Sequence, residues 1–176
     1  MERWTLTPSG EPQVLRYCSK CGEIGRFGQS GRFRVNANGR HLDVWLIYKC
    51  QRCDATWNLT ILTRVRPEQI ERGLLDAFTS NAAVTARRCA FDKTLLQRSS
   101  ASPCYDGLAY TVTREWLADG PGLTVDCPFD FDLRLDRLLS DTLGLSRSQS
   151  RRRLELCGIA AKTTVRGTTT WEDLLL

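Results

Sequence analysis

The chain has 176 residues, 41% of them apolar, and a formal net charge of +5 at pH 7. This length is enough for one compact domain or two small ones. The apolar runs are too short for the core of a signal peptide or for a membrane-spanning helix, so we expect a cytoplasmic protein without membrane contact. A charge of this size does not by itself distinguish a nucleic-acid-binding protein from other proteins.

The charges are distributed unevenly along the chain. Residues 1–66 contain 11 basic and 5 acidic side chains, residues 67–130 contain 6 and 9, and residues 131–176 contain 8 and 6. A basic beginning, an acidic middle and a basic end indicate three segments. The motifs within them place the segment boundaries at 1–66, 67–104 and 105–176.

Two closely spaced cysteine pairs are the strongest motif. Cys18 and Cys21 form the first Cys-x-x-Cys pair, Cys50 and Cys53 form the second, and 28 residues separate the pairs. Four thiolates can surround one metal ion as a tetrahedron, which is the geometry of a structural zinc site. We therefore predict one bound Zn²⁺, with an iron site or a redox-active thiol pair as the alternatives. His41, the single histidine, is expected to be a surface strand residue rather than a metal ligand.

The residues around the two pairs have the pattern of a small antiparallel sheet. A first strand is predicted near residues 32–35, a turn at 36–39 and a third strand at 55–65. The second strand is marked by alternating apolar residues, Leu42, Val44, Leu46 and Tyr48. Two cysteine knuckles joined by such a sheet resemble the zinc-ribbon family over residues 14–66. The resemblance implies a closed structural zinc site and a ribbon that can contact a protein partner.

The other cysteines are isolated from one another: Cys89, Cys104, Cys127 and Cys157. Such scattered positions disfavour a secreted disulfide framework. We predict that these four residues are reduced, mostly buried and dispensable for metal binding.

The middle of the chain is predicted to be helical and then extended. Pro67 begins an apolar pattern of helical spacing, and a second helical pattern covers residues 82–99. Residues 108–118 and 122–135 flank an Asp-Gly-Pro-Gly turn, where they form a hairpin or two short strands. No nucleophile has a histidine base and no glycine-rich phosphate loop is present in the sequence, so we do not expect an enzyme.

The stretch "LRLDRLLSDTLGLSRSQSRRRLELCGI" at 133–159 contains two helical patterns joined by a Gly-Leu-Ser turn. It resembles the S4 RNA-binding domain of ribosomal proteins and RNA-modifying enzymes. It departs from that family at Arg153, where an apolar residue is usual, and at Gly158, which comes one position late. The resemblance implies that basic residues contact RNA phosphates, and the positions that match are Arg134, Arg137, Arg147, Arg151 and Arg152.

Most of the chain also resembles a bacterial family known as domain of unknown function 1062. The residues that carry this resemblance are "CSKCG", "GRFRVNANGRHLDVWLIYKCQRCDATWNLT" and the later "RLDRLL" and "GLSRSQSRR". It supports the order of the segments and implies no particular chemistry.

Together these features predict an α+β protein with three parts: a small antiparallel zinc-ribbon sheet, a helical connector, and an S4-like helical module with short strands preceded by a hairpin. The expected function is non-catalytic binding of structured RNA, ribosomal or transfer RNA, with Zn²⁺ as the cofactor and no small-molecule substrate. The alternative is a protein–protein adaptor or transcription-associated factor that docks through the ribbon. A thiol redox or metal sensor is a third hypothesis.

Overall fold

The structure is a computed structural model that describes residues 1–118 and 120–174. Its strands are β1 Glu2–Pro8, β2 Gln13–Cys18, β3 Glu23–Asn38, β4 His41–Cys50, β5 Thr56–Val65, β6 Ser102–Cys104, β7 Tyr110–Trp116, β8 Leu123–Cys127 and β9 Gly167–Trp171. Its α-helices are α1 Arg72–Thr79, α2 Ala83–Phe91, α3 Lys93–Arg98, α4 Leu135–Leu143 and α5 Arg147–Leu156, and a 3-10 turn covers Pro67–Gln69. The chain divides into two compact units. We call residues 11–106 the cysteine unit, and residues 1–10 with 107–176 the arginine unit.

The cysteine unit is built on a five-stranded sheet in the order β5-β4-β3-β2-β6. Neighbouring strands are antiparallel, and the β3–β4 hairpin turns at Gly39, whose φ of +61° suits glycine. The predicted strands at 32–35 and 55–65 and the strand between them are therefore confirmed, although β3 is longer than predicted.

One face of this sheet forms the core of the cysteine unit. Val44, Leu46 and Tyr48 are fully buried on alternating positions of β4, as their sequence pattern predicts. Phe78 of α1, Ala86 of α2 and Leu96 of α3 belong to the same buried cluster. Burying one such large apolar side chain contributes about 1.5–3 kcal/mol, so the helices are fixed to the sheet by their apolar faces.

The arginine unit is built on a four-stranded sheet in the order β7-β1-β8-β9. β1 is parallel to β8 and antiparallel to β7, so the two strands around the Asp-Gly-Pro-Gly turn are separated by β1 and do not form a hairpin. The buried residues of α4 and α5 include leucines at helical spacing, Leu135, Leu138, Leu139 and Leu154. These two helices therefore contribute an apolar face to the core of the unit.

The predicted fold class is wrong. Of the residues that the structure describes, 41% are in strands and 26% are helical, and the strands form sheets of four and five members, whereas we predicted a small ribbon and an S4-like helical module. The two helices at 135–156 are present, but their unit also contains β1, β7, β8 and β9. Pairing between β1 and β7 joins residues more than 100 positions apart, as in Glu2 with Trp116. The sequence does not record which distant strands pair with each other, so the local helical spacing near the end of the chain dominated the prediction.

Among the described residues, no helix combines the length and the apolar character that crossing a membrane requires.

Candidate metal centre and arginine cluster

Both cysteine pairs lie in the same kind of turn at the end of a strand. Cys18 ends β2 and Cys50 ends β4. In the first turn the N–H of Gly22 donates to the carbonyl of Cys18 at 2.9 Å, and in the second the N–H of Asp54 donates to Cys50 at 2.9 Å. Gly22 and Asp54 both have positive φ, +74° and +58°. The two turns are thus equivalent knuckles, each holding two thiols on one side of the chain.

The sheet brings the two knuckles together. β3 lies between β2 and β4, pairing Glu23 with Cys18 and Phe27 with Cys50. The second knuckle is also attached to β3 directly, because the N–H of Gln51 donates to the carbonyl of Arg26 at 2.9 Å. The long residue interval between the pairs is therefore occupied by the hairpin that positions them.

The four sulfur atoms form a compact cluster. All four Sγ atoms lie within 4.8 Å of one another, with 3.6 Å between Cys18 and Cys53 and 3.9 Å between Cys21 and Cys50. A tetrahedron with metal–sulfur bonds of about 2.3 Å has edges of about 3.8 Å. Cys18 and Cys50 are 2% and 3% exposed, so two of the ligands are shielded from solvent. The cluster therefore has the donor set and dimensions of a four-thiolate metal site.

The backbone of the second knuckle favours the thiolate form of its first cysteine. Backbone hydrogen bonds from Arg52 and Cys53 lower the pKa of the Cys50 thiol to about 7. The pKa of Cys21 is raised to about 12, chiefly because its proton is shared with the thiol of Cys53. Four thiols this close cannot all lose their protons without a cation among them, which is the condition that a bound metal provides.

The other metal-binding candidates lie elsewhere. His41 is at the opposite end of β4, nine residue steps along the strand from Cys50, which is a distance of about 30 Å. Among the described residues, the isolated cysteines form no disulfide and are not part of the cluster: Cys89, Cys104, Cys127 and Cys157. Cys104 and Cys127 are buried, and Cys89 is partly so, with burial raising the pKa of its thiol to about 11.

A second cluster, in the arginine unit, surrounds the carboxylate of Asp136. This residue is fully buried in the first turn of α4. Arg134 donates to it through two nitrogens at 3.1 and 2.9 Å. Arg147 donates at 3.1 Å to each carboxylate oxygen, and Nε of Arg151 donates at 3.0 Å. Three guanidinium groups and one carboxylate leave this arginine cluster with a net charge of +2.

Local sequence explains how the arginines reach Asp136. α4 ends at Gly144 in the left-handed conformation, φ +66°, which allows the chain to turn back sharply. Ser146 then caps α5 by accepting from the N–H of Gln149, whose side chain in turn accepts from the N–H of Ser146. Arg147 and Arg151 follow at positions i and i+4, so both point to the same side of α5.

The environment of Asp136 keeps it ionised. Burial alone raises the pKa of a carboxyl group, but hydrogen bonds from Arg151, Arg147 and Arg134 outweigh it, and the pKa of Asp136 is lowered overall. Asp136 lies within the quoted stretch "RLDRLL", and no role was predicted for it from the sequence. Within residues 134–139, Asp136 is the one acidic residue among apolar and basic residues, and this was the available signal.

The five arginines predicted to contact RNA are in three different situations. Three of them belong to the arginine cluster: Arg134, Arg147 and Arg151. Arg137 forms an exposed i,i+4 ion pair with Asp141 at 3.3 Å. Arg152 is exposed and forms no ion pair with any residue that the structure describes. Their role toward RNA stays a prediction.

A family model described as "Protein of unknown function (DUF1062)" matches residues 35–165, about three quarters of the chain. The chain therefore belongs to this family. The match includes Cys50, Cys53 and the whole arginine cluster, while Cys18 and Cys21 precede it. Searches of curated proteins and of solved structures found no match.

Proposed function

We propose that this is a cytoplasmic, non-catalytic RNA-binding protein in which Zn²⁺ joins the two cysteine knuckles and the arginines of α4 and α5 contact RNA phosphates. The observation that carries the proposal is the arginine cluster. A single guanidinium group neutralises the buried carboxylate of Asp136. The three guanidinium groups around it therefore carry two positive charges in excess. This excess positive charge attracts a polyanion such as RNA.

The arrangement of donors also supports contacts with phosphate. Arg147 uses one terminal nitrogen on Asp136, and Arg151 uses only its Nε. The side chains are 42% and 48% exposed, so their other N–H groups are available to a ligand. Because the bond to Asp136 already orients each guanidinium, little side-chain entropy is lost when a phosphate oxygen binds.

A structural role for the metal follows from its four ligands. Four thiolates fill a tetrahedral zinc site and leave no position for water or substrate. In small zinc-binding peptides the metal contributes on the order of 10–16 kcal/mol to folding. Zinc is therefore expected to join the ends of β2 and β4 rather than to take part in chemistry.

The proposal is tested by the salt dependence of RNA binding, with a variant that leaves Asp136 fully paired. Arg137→Ala with Arg152→Ala removes two exposed cations that do not bond Asp136. Each lost phosphate contact lowers the slope of log affinity against log salt by roughly 0.7–0.9, so the double variant should lower it by up to about 2. Binding of a structured RNA is measured by fluorescence anisotropy between 50 and about 300 mM salt.

The matched control replaces Arg72 and Arg88, which are exposed on helices of the cysteine unit. It removes the same charge and should leave the slope within the error of wild type. Zinc content and circular dichroism verify that both variants are folded. If the double variant of Arg137 and Arg152 binds RNA with the wild-type slope, the proposal is wrong.

An adaptor function is the second candidate, and one surface favours it. Leu15, Tyr17 and Ile24 lie next to the first knuckle and are 37%, 60% and 71% exposed. Tyr17 and Ile24 are direct cross-strand partners, so they form a continuous apolar patch on the sheet. Such a patch is more typical of a binding surface than of ordinary solvent-exposed strand residues.

Photo-crosslinking in cells separates the two functions. A photoreactive amino acid replaces Arg152 in one strain and Tyr17 in another, with exposed Gln69 as the control position. RNA adducts from position 152 support RNA binding. A discrete protein adduct from position 17, without RNA at position 152, supports the adaptor function instead.

A further inference from the structure

The cysteine unit contains a cavity of about 490 Å³ at the surface formed by β2, β5 and α3. This volume is within the range of about 300–1,000 Å³ that is typical of small-molecule sites. The residues that line it come from the two strands, the helix and the turn after the helix: Arg16, Trp57, Asn58, Thr60, Ile61, Leu95, Arg98 and Ser99.

One arginine of this cavity is held in place before any ligand binds. The guanidinium of Arg16 stacks on the ring of Trp57, 4.7 Å from its centroid. One terminal nitrogen of Arg16 also donates to the carbonyl of Ser99 at 2.9 Å. The stacking and the hydrogen bond fix the guanidinium plane, while its remaining N–H groups have no partner among the described residues.

The charge of the lining is positive and uncompensated. Arg98, exposed at the end of α3, is the second cation, and none of the lining residues is acidic. A comparable cavity in the arginine unit differs in this respect, because Arg137 there pairs with Asp141 and Arg114 pairs with Glu2. The cavity beside Trp57 thus offers two guanidinium groups without an internal counterion.

We propose that this cavity binds a phosphate monoester on a small organic body, a ligand of the size and chemistry of a mononucleotide. A phosphate monoester carries about −1.5 to −2 charges at pH 7, which matches two guanidinium groups. Asn58 and Thr60 add polar side chains, and Ile61 and Leu95 provide an apolar wall for the body of the ligand. This site goes beyond the proposed function, because it uses neither the arginine cluster nor the metal.

The phosphate monoester has two possible sources, a free small molecule and the 5′ end of an RNA. Isothermal titration of the full-length, zinc-loaded protein uses three probes: inorganic phosphate, adenosine monophosphate and adenosine. The monophosphate should bind more tightly than phosphate, because its body contacts the apolar wall, and adenosine should bind at least tenfold more weakly than the monophosphate. Arg98→Ala should weaken binding of the monophosphate by about tenfold, the loss expected for one charge-assisted hydrogen bond.

Arg16→Lys is the second variant, since it keeps the charge but loses the planar fork and the stacking on Trp57. It should also weaken binding, whereas Arg88→Ala, a charge-matched change on α2 outside the cavity, should leave affinity unchanged. Zinc content and circular dichroism are measured for each variant. Equal binding of adenosine and its monophosphate, or wild-type affinity in either Arg98→Ala or Arg16→Lys, would overturn the proposal.

The source is assigned with one more comparison, made in the protein that carries Arg137→Ala and Arg152→Ala. An oligoribonucleotide with a 5′-phosphate is compared with the same strand ending in a 5′-hydroxyl. If the phosphorylated strand binds more tightly than the hydroxyl strand, and Arg98→Ala abolishes this difference, the RNA end is the source. Equal binding of the two strands, with Arg98-dependent binding of the monophosphate, identifies a free small molecule. If no probe shows Arg98-dependent binding, the proposal is wrong.

Discussion

Replacing the buried carboxylate of the arginine cluster should strongly destabilise the arginine unit. Asp136→Asn keeps the shape of the side chain but leaves three guanidinium groups around a neutral amide. In the wild type these groups donate five hydrogen bonds to a carboxylate that is 0% exposed. The amide replaces one acceptor oxygen with a donor, so several of these bonds are lost and the positive charges repel one another.

The magnitude follows from burial. Removing one partner of a fully buried ion pair costs about 3–5 kcal/mol. The three arginines are 33%, 42% and 48% exposed, so water stabilises them when the carboxylate is lost and the cost falls to about 2–4 kcal/mol. In a unit of about 80 residues, 1 kcal/mol changes the melting temperature by roughly 4–8 °C. We therefore expect a decrease of roughly 10 °C or more.

The assay is thermal unfolding followed by circular dichroism, with urea unfolding at 25 °C as a second measurement. Asp141→Asn is the matched control, because it removes the same charge from the same helix. Its ion pair with Arg137 has side chains that are 48% and 55% exposed, and such pairs contribute about 0–1 kcal/mol. If the two variants melt within 2 °C of each other, the inference that the arginine cluster stabilises the fold is refuted.

Four further outcomes follow from the structure. Purified protein should contain one zinc per chain, and either Cys50→Ser or chelation should remove it. Loss of the metal should abolish hydrogen-exchange protection in residues 14–66, while residues 123–171 should stay protected. Alanine at any one isolated cysteine should leave the metal content unchanged: Cys89, Cys104, Cys127 or Cys157. Because the pKa of Asp136 is lowered in the folded state, its stabilising effect is complete above the unfolded pKa of about 3.9 and is lost as the pH falls through the folded value. Melting temperatures measured between pH 6 and 2 should therefore fall more steeply for wild type than for Asp136→Asn. Gly122→Ala should destabilise the arginine unit far more than Gly158→Ala, because a Cβ at Gly122 would lie 2.7 Å from the carbonyl oxygen of Trp171, whereas nothing lies within 4 Å at Gly158. Equal melting temperatures of these two variants would contradict that packing.

The cluster of four cysteines was predictable because its information is local. A Cys-x-x-Cys spacing defines a knuckle by itself, and the alternation of Val44, Leu46 and Tyr48 predicts the strand that leads into the second knuckle. The helices at 135–143 and 147–156 were predictable for the same reason, since apolar spacing and the Ser146 cap are features of neighbouring residues.

The arginines show where local information ends. Helical spacing indicates that Arg147 and Arg151 share a side of α5, and from this alone both are surface cations. Their bonds to Asp136 depend on the turn at Gly144 and on the packing of α4, which no pattern within α5 records. For this reason a double alanine variant at these positions, harmless on a free helix, is expected to destabilise the folded protein, because it removes two of the three arginines that pair with the buried carboxylate of Asp136.

The sequence by itself determined the elements whose signal lies within about a dozen residues: the two knuckles, the hairpin between them and the two helices near the end of the chain. Only the tertiary structure decided that β1 lies between β7 and β8, and so places residues 1–10 in the same unit as the C-terminal helices. It also decided that Arg16, Trp57 and Arg98 line one cavity. The physical reason is the same in both cases, because hydrogen bonds and contacts between distant strands depend on the geometry of the whole sheet and leave no periodic trace in the chain.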